Sequence, residues 1–244
     1  MTEQVSKIKQ DLAKAYQFIS MLGMDDLTYT HLSARHPTMD AFFINPFGML
    51  FEEITPENLL LIDFDGNVVG EKSFNKTGFK IHGAVYRARP EINASFHIHT
   101  SAGIAVSNLK EGLLPLSQFS YHFYERVGYH RYNGLALDDA EGAVLAKSLG
   151  DNMALFLRTH GTLTVGRTIQ EAFFYTYYLE QACRAQVQTL SQGREVILTD
   201  SKTCRRARDQ MRNFEPDLGR RDWEALCRKL GRNNLQKASI LAPT

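Results

Sequence analysis

The stretch Ala94-Ser95-Phe96-His97-Ile98-His99-Thr100 constrains this chain more than any other. Apolar Ala94, Phe96 and Ile98 alternate with polar Ser95, His97 and His99, the period of an extended strand whose successive side chains point to opposite faces. Such a strand turns one face to a core and carries two imidazoles on the other. Two imidazoles so placed can share one ion at about 2.0–2.1 Å per nitrogen, whereas buried without partners each carries a desolvation cost. Histidines bonded to backbone explain an isolated H-x-H equally well, so a third donor is needed. Arg158-Thr159-His160-Gly161-Thr162-Leu163 offers one, with His160 at the end of an apolar strand, beside a glycine that permits close backbone approach. Three protein ligands leave room for water or substrate, the arrangement in which a cation acts as a Lewis acid.

The rest of the chain supplies elements for an α/β protein. Val5, Ile8, Leu12, Ile19 and Leu22 form one apolar stripe, predicting a helix over 4–22 that Gly23 ends. Strand-like runs follow at 31–35, 41–45 and 59–64, with Asp65-Gly66 as a tight turn before Val68 and Val69. Helical spacing returns at 78–89, where Pro90 stops it, and a strand carries 93–99. Helices near 101–109 and 138–149 flank a tyrosine-rich loop, and strands at 154–158 and 162–165 meet at His160-Gly161. Thr168 with Glu171 is a capping box opening the longest helix, to about Gly193. This order predicts a central, mostly antiparallel sheet with helices on its sides.

Length and composition narrow the rest. A chain of 244 residues, 43% hydrophobic and 23% charged, fits one large domain. Twenty-eight basic residues against twenty-seven acidic ones give no reason to expect nucleic acid as a partner. The scattered charges of the first sixteen residues argue against a secretory signal or membrane anchor, making the cytosol the expected location. Cys183, Cys204 and Cys227 lack metal-ligand spacing and read as reduced and structural. The segment 202–232 holds ten Lys/Arg and five Asp/Glu in two expected helices, a solvated or subunit-contacting surface.

His97-Ile98-His99-Thr100, followed sixty-one residues after His99 by His160-Gly161, resembles the metal signature of the class II aldolase/adducin superfamily. The resemblance extends through Leu32-Ser33-Ala34-Arg35, Phe43-Ile44-Asn45-Pro46-Phe47-Gly48, Asp63-Phe64-Asp65-Gly66 and the run His82 to Pro90. It continues through 112–117, 129–134 and the long helix, covering roughly residues 5 to 195. The nearest likeness is to the adducin-head-like branch. It implies a three-layer α/β/α class II aldolase-like fold with a central mostly antiparallel sheet, over residues 1–200. Residues 201–244 then form a C-terminal helical extension packed on the same domain. It also implies a homotetramer with sites between subunits, and one divalent metal on His97, His99 and His160, zinc foremost, with manganese or iron as alternatives.

The pattern breaks in places that bear on activity. The sugar-phosphate aldolases carry Ser-Ser-Glu nineteen residues before the first histidine, and its glutamate is the acid/base; this chain reads Lys76-Thr77-Gly78. Glycine moves no proton, and a positioned acid/base is worth about 10²–10⁴-fold in rate. The Gly-Asn before the first Ser is here Thr30-His31, and Thr-Pro-Thr-Gly is Asn45-Pro46-Phe47-Gly48, which crowds a phosphate with an apolar ring. His31, Asn45, Gly48, Lys76 and Thr77 become the candidate substrate-binding residues, with Lys76 and His31 able to neutralise a carboxylate. His130 and Tyr129 are the candidate acid/base, against the alternative that such aromatic density packs a core or interface. The expected function is a metal-dependent aldolase- or decarboxylase-type lyase on a small hydroxy- or oxo-carboxylate. The alternatives are a non-catalytic, adducin-like oligomeric module and an iron(II)-dependent oxygenase on the same fold.

Overall fold

In the computed structural model, which describes residues 2–68, 74–134 and 139–241, the Thr2 hydroxyl accepts the Val5 N–H and opens helix α1, Glu3–Met21. Strands β1 (His31–Arg35), β2 (Ala41–Ile44) and β3 (Leu60–Asp63) form an antiparallel meander. Val68 bridges back to Ile62, while Val69 and position 138 of the sequence reading lie outside the described residues. Asn75 caps α2, Lys76–Ala88, by accepting the Gly78 N–H. β4 (Ala94–Ile98) and α3 (Ser101–Ser107) follow, then a single helical turn, α4, at Gln118–Tyr121.

Val127–His130, expected within a loop, is a strand, β5, which pairs in parallel with β6 (Ala154–Leu157) across the connecting helix α5 (Asp139–Leu149). β7, Gly161–Gly166, leads into α6, Ile169–Leu190. The Thr168 hydroxyl accepts the Glu171 N–H as expected, but the Glu171 carboxylate takes the Arg167 N–H, so the box closes one residue earlier. α7 (Ser201–Phe214) and α8 (Arg220–Leu241) complete the chain.

The seven strands lie in the order β3-β2-β1-β4-β7-β6-β5, antiparallel except for β5 and β6. Helices cover both faces, so alternation along a strand selects between two cores rather than between core and water. Phe96, Ile98 and Leu32 pack with Phe18 and Ile19 of α1 and Phe173 of α6; Phe42, Leu163 and Val165 pack with Phe79 and Val85 of α2 and Leu145 of α5. The three-layer α/β/α architecture is as expected. Trp223 of α8 meets Phe18 and Phe173 at ring-centroid distances of 4.9 and 5.9 Å, fastening the C-terminal helix to the first layer. All three cysteines are free. Among the described residues no helix is long and apolar enough to cross a membrane.

Candidate metal centre

β4 is central and its register fixes the site. His97 stands opposite His31 of β1 on one side and Leu163 of β7 on the other, and its side chain belongs to the face covered by α2 and α5. His99 lies just past the strand, where Thr100 caps α3 by accepting the Gly103 N–H. The Thr100 hydroxyl also donates to Glu180 of α6, whose second oxygen takes the Arg184 guanidinium at 2.6 Å. These contacts hold the end of β4 against α6.

His160 arrives on the β6–β7 turn, closed by the His160 N–H on the Leu157 carbonyl, with Thr159 at φ 60°. A left-handed non-glycine residue costs about 1–2 kcal/mol. The next residue explains why the turn can come so near: a β-carbon on Gly161 would sit 2.5 Å from the Ile98 carbonyl oxygen. The close backbone approach expected at that glycine is present.

The three imidazoles converge, one nitrogen from each lying within 4.8 Å of the others. His99 Nε2 is 2.9 Å from His97 Nε2, which is 3.3 Å from His160 Nε2. The opposite nitrogens are engaged: His97 Nδ1 lies 2.9 Å from the Thr162 carbonyl and His99 Nδ1 2.9 Å from an Asp26 carboxylate oxygen. Acceptors there hold the ring hydrogens on Nδ1 and leave the Nε2 lone pairs free. Burial, then the charges of His31, His99 and His160, push His97 well below the usual imidazole range, and burial with His99 and His130 brings His160 down to about 4. His97 and His160 are therefore neutral near pH 7, and lone pairs facing one another repel unless a cation lies between them. The donor set fits a divalent ion in both protonation and orientation.

Asp26, 2.9 Å from His99 Nδ1, is the neighbour of the three histidines that the sequence reading misses. A cavity of about 510 Å³ opens beside His99, with Asp25 and Asp26 on one wall and Arg184 on another. Tyr132 is also unanticipated; it is 48% exposed, with its ring 6.1 Å from that of His160. The larger cleft lined by Lys7, Arg220 and Trp223 contains none of the three histidines.

The expected substrate and acid/base residues divide. His31 is beside His97, ring centroids 5.0 Å apart, but it is 2% exposed and its Nδ1 is 2.7 Å from His82 Nε2, which makes it a member of a buried pair rather than an exposed cation. Asn45 is buried too. Its Oδ1 is 2.8 Å from the Tyr16 hydroxyl, which also accepts the N–H groups of Leu32 and Asn45 and so stitches β1 to β2. Gly48 lies in an exposed turn at φ 90°, Lys76 is exposed in the first turn of α2, and Thr77 is half-buried beside it.

Adjacent on β5, Tyr129 and His130 face opposite sides. Tyr129 stacks on Phe156, carries the Arg158 guanidinium 4.4 Å from its ring centre, and accepts the Leu113 N–H, all contacts of a packed side chain. His130 lines a small cavity with His160, but both its nitrogens are engaged, Nε2 2.8 Å from Glu141 and Nδ1 3.2 Å from Ser148.

Comparison with known proteins places the chain in a family. Residues 10–187 match the model of the class II aldolase and adducin N-terminal domain, and the chain belongs to that family. It is 40% identical over 230 residues to a Pseudomonas aeruginosa protein provisionally named an aldolase class 2 protein, covering 92% of this chain and 89% of the relative. Rat alpha-adducin is 39% identical over 186 residues, 74% of this chain but 25% of the adducin, so the match spans a quarter of that protein. Among solved structures, an aldolase II superfamily protein from Pseudomonas syringae superposes with a TM-score of 0.91 at 39% identity, covering 96% of this chain and 95% of that one. An L-fuculose 1-phosphate aldolase from Glaciozyma antarctica reaches 0.76 at 31% identity, covering 85% and 82%.

Proposed function

We propose that this protein is a divalent-metal-dependent carbon–carbon lyase acting on a small hydroxy- or oxo-carboxylate, by retro-aldol cleavage or decarboxylation. The observation that carries the reading is the convergence of three imidazoles, with His97 and His99 each held by an acceptor on Nδ1. His97, His99 and His160 hold the cation, zinc in the first instance, and when bound it supplies positive charge for an anion developing on a substrate oxygen. Asp26 fixes the His99 ring; Thr162, through its carbonyl, fixes that of His97. The Glaciozyma relative, named for a sugar-phosphate aldolase, supports lyase chemistry in general. Gly78 and the exposed Phe47 weigh against a sugar phosphate as the substrate. We further propose a cytosolic homotetramer: Leu27, Tyr29 and Phe47 are 68, 59 and 43% exposed, and Tyr29 and Phe47 stand edge to face, an apolar surface suited to a neighbouring subunit.

The test is turnover. Protein loaded with zinc, manganese or iron(II) is screened against oxo- and hydroxy-acids for release of CO2 or an aldehyde, with His97→Ala as control. Release above the control is the expected result, and its absence with every metal sinks the lyase reading. Oxygen uptake that requires iron(II) would reassign the site to oxygenase chemistry. The likeness to alpha-adducin favours a second reading, an assembly module without catalysis. That reading predicts no bound metal and an unchanged oligomer when His97 and His99 are both replaced.

A further inference from the structure

His31 fills the space that Gly78 leaves. A β-carbon on Gly78 would lie 2.7 Å from His31 Cδ2 and 2.9 Å from its Cγ and Nε2, closer than real contacts allow. Both residues are buried, so neither has room to turn aside. His31 is pinned besides: its Cα is in register with that of His97, and its Nδ1 sits 2.7 Å from His82 Nε2. Residues 31 and 78 therefore exclude one another, and two departures from the aldolase pattern, far apart in sequence, are one contact in space.

The hydrogen bonds also fix where the ring hydrogens are. His82 Nδ1 is buried with no partner. A buried N–H left without an acceptor is rarer than an acceptor left without a donor, so His82 carries its hydrogen on Nε2 and donates it to His31 Nδ1. Neutral His31 then carries its own hydrogen on Nε2, on the edge of the ring away from His82.

We propose that His31, backed by His82, is a specificity-determining residue: it sets a neutral N–H donor beside the three histidines where a carboxylate would otherwise stand, and so selects a chelating dianion of the oxalate type. The inference deepens the lyase reading and rests on its cation. An imidazole that ligates a metal brings no charge, so the divalent charge is left for the bound anion to balance, and a carboxylate at position 78 would cancel half of it. A buried donor can hydrogen-bond an anion, whereas a carboxylate repels one. Dianionic oxo- and hydroxy-carboxylate carbanion equivalents match the neutral wall better than a neutral sugar fragment does.

Three measurements test this. Nitrogen-15 NMR of histidine-labelled apo protein reads the tautomers directly: Nε2–H on both His31 and His82 is expected, and Nδ1–H on His31 overturns the assignment. Thermal unfolding of apo protein tests the packing: Gly78→Glu lowers Tm and adding His31→Asn restores most of the loss, whereas additive shifts overturn the mutual exclusion. Calorimetric titration of oxalate into zinc-loaded protein tests selectivity. The His31→Asn/Gly78→Glu variant should keep zinc but bind oxalate ~10-fold or more weakly, from like-charge repulsion. The single variant His31→Asn, which has no clash, should also weaken oxalate. Unchanged oxalate affinity with zinc bound in both variants overturns the proposal while leaving the metal reading intact. Wild-type protein that takes up no zinc overturns the metal reading and this selectivity together, and the tautomer and Tm results still judge the packing.

Discussion

Asp26 reaches His99 Nδ1 at 2.9 Å, and that one contact decides which nitrogen of His99 faces the other two rings. Carboxylates in this position typically contribute 10–100-fold to metal affinity without being ligands. Asp26→Asn should therefore weaken zinc binding by about 10–100-fold, read by competition with a chromophoric chelator, while leaving the fold intact. Unchanged affinity would mean that backbone alone orients the ring. Asp26 is not legible in sequence because its partner lies seventy-three residues away, with β1 to β4 and α2 between them. The imidazoles at 97 and 99 are legible, because they alternate with apolar residues along one extended run, His97 in β4 and His99 just past its end, and their common face follows from that period. The His31–Gly78 contact is not, since a missing side chain announces nothing about what fills its space.

At the scale of elements, the β4–β7 seam carries the site. Gly161 lets β7 start against the Ile98 carbonyl, so Gly161→Ala must push the strands apart or strain the turn bearing His160. Overpacking of this kind costs about 1–3 kcal/mol. The expected result is a lower urea midpoint together with weaker zinc binding; a stability loss with unchanged zinc affinity would show that the turn moves independently of the metal ligands. The elements with strong periodicity, α1, α2, α6 and strands β1 to β4, follow from the spacing of their apolar residues, with ends within a few residues. β5 does not. It has four residues, one of them Gly128, whose β-carbon would meet the Ser148 carbonyl at 2.2 Å. Its strand state is imposed by parallel pairing with β6 and by α5 packed over it, which no local pattern records.

Over the whole molecule, Trp223 is the largest buried side chain of the C-terminal helices among the described residues. It is 5% exposed between Phe18 and Phe173. Trp223→Ala should cost about 3–5 kcal/mol in chemical denaturation if α8 folds cooperatively with the sheet. A loss well below that range, with early proteolysis confined to α8, would show that the helix undocks by itself. Acid sensitivity is a second global property. Burial lowers His122 to about 4 and His82 to about 3, so these groups bind protons in the unfolded chain before they do so in the native one. Their contribution is present above the unfolded value near 6.5 and is lost as pH falls from there towards 4 and 3. Stability of the apo protein should therefore decline below pH 6.5, and His122→Phe, which keeps the ring packed against Phe174 and Tyr178, should make that decline shallower. An identical slope in the variant would remove His122 from the account.

Whether His97, His99 and His160 share one cation decides between an enzyme and an assembly module. Equilibrium dialysis against zinc followed by elemental analysis, paired with anomalous diffraction at the zinc edge, measures this directly. The prediction is one ion per chain lying among the three Nε2 atoms, lost in His97→Ala and His160→Ala proteins that keep wild-type circular dichroism. Zinc absent from the wild-type protein, or bound at another place, would contradict it.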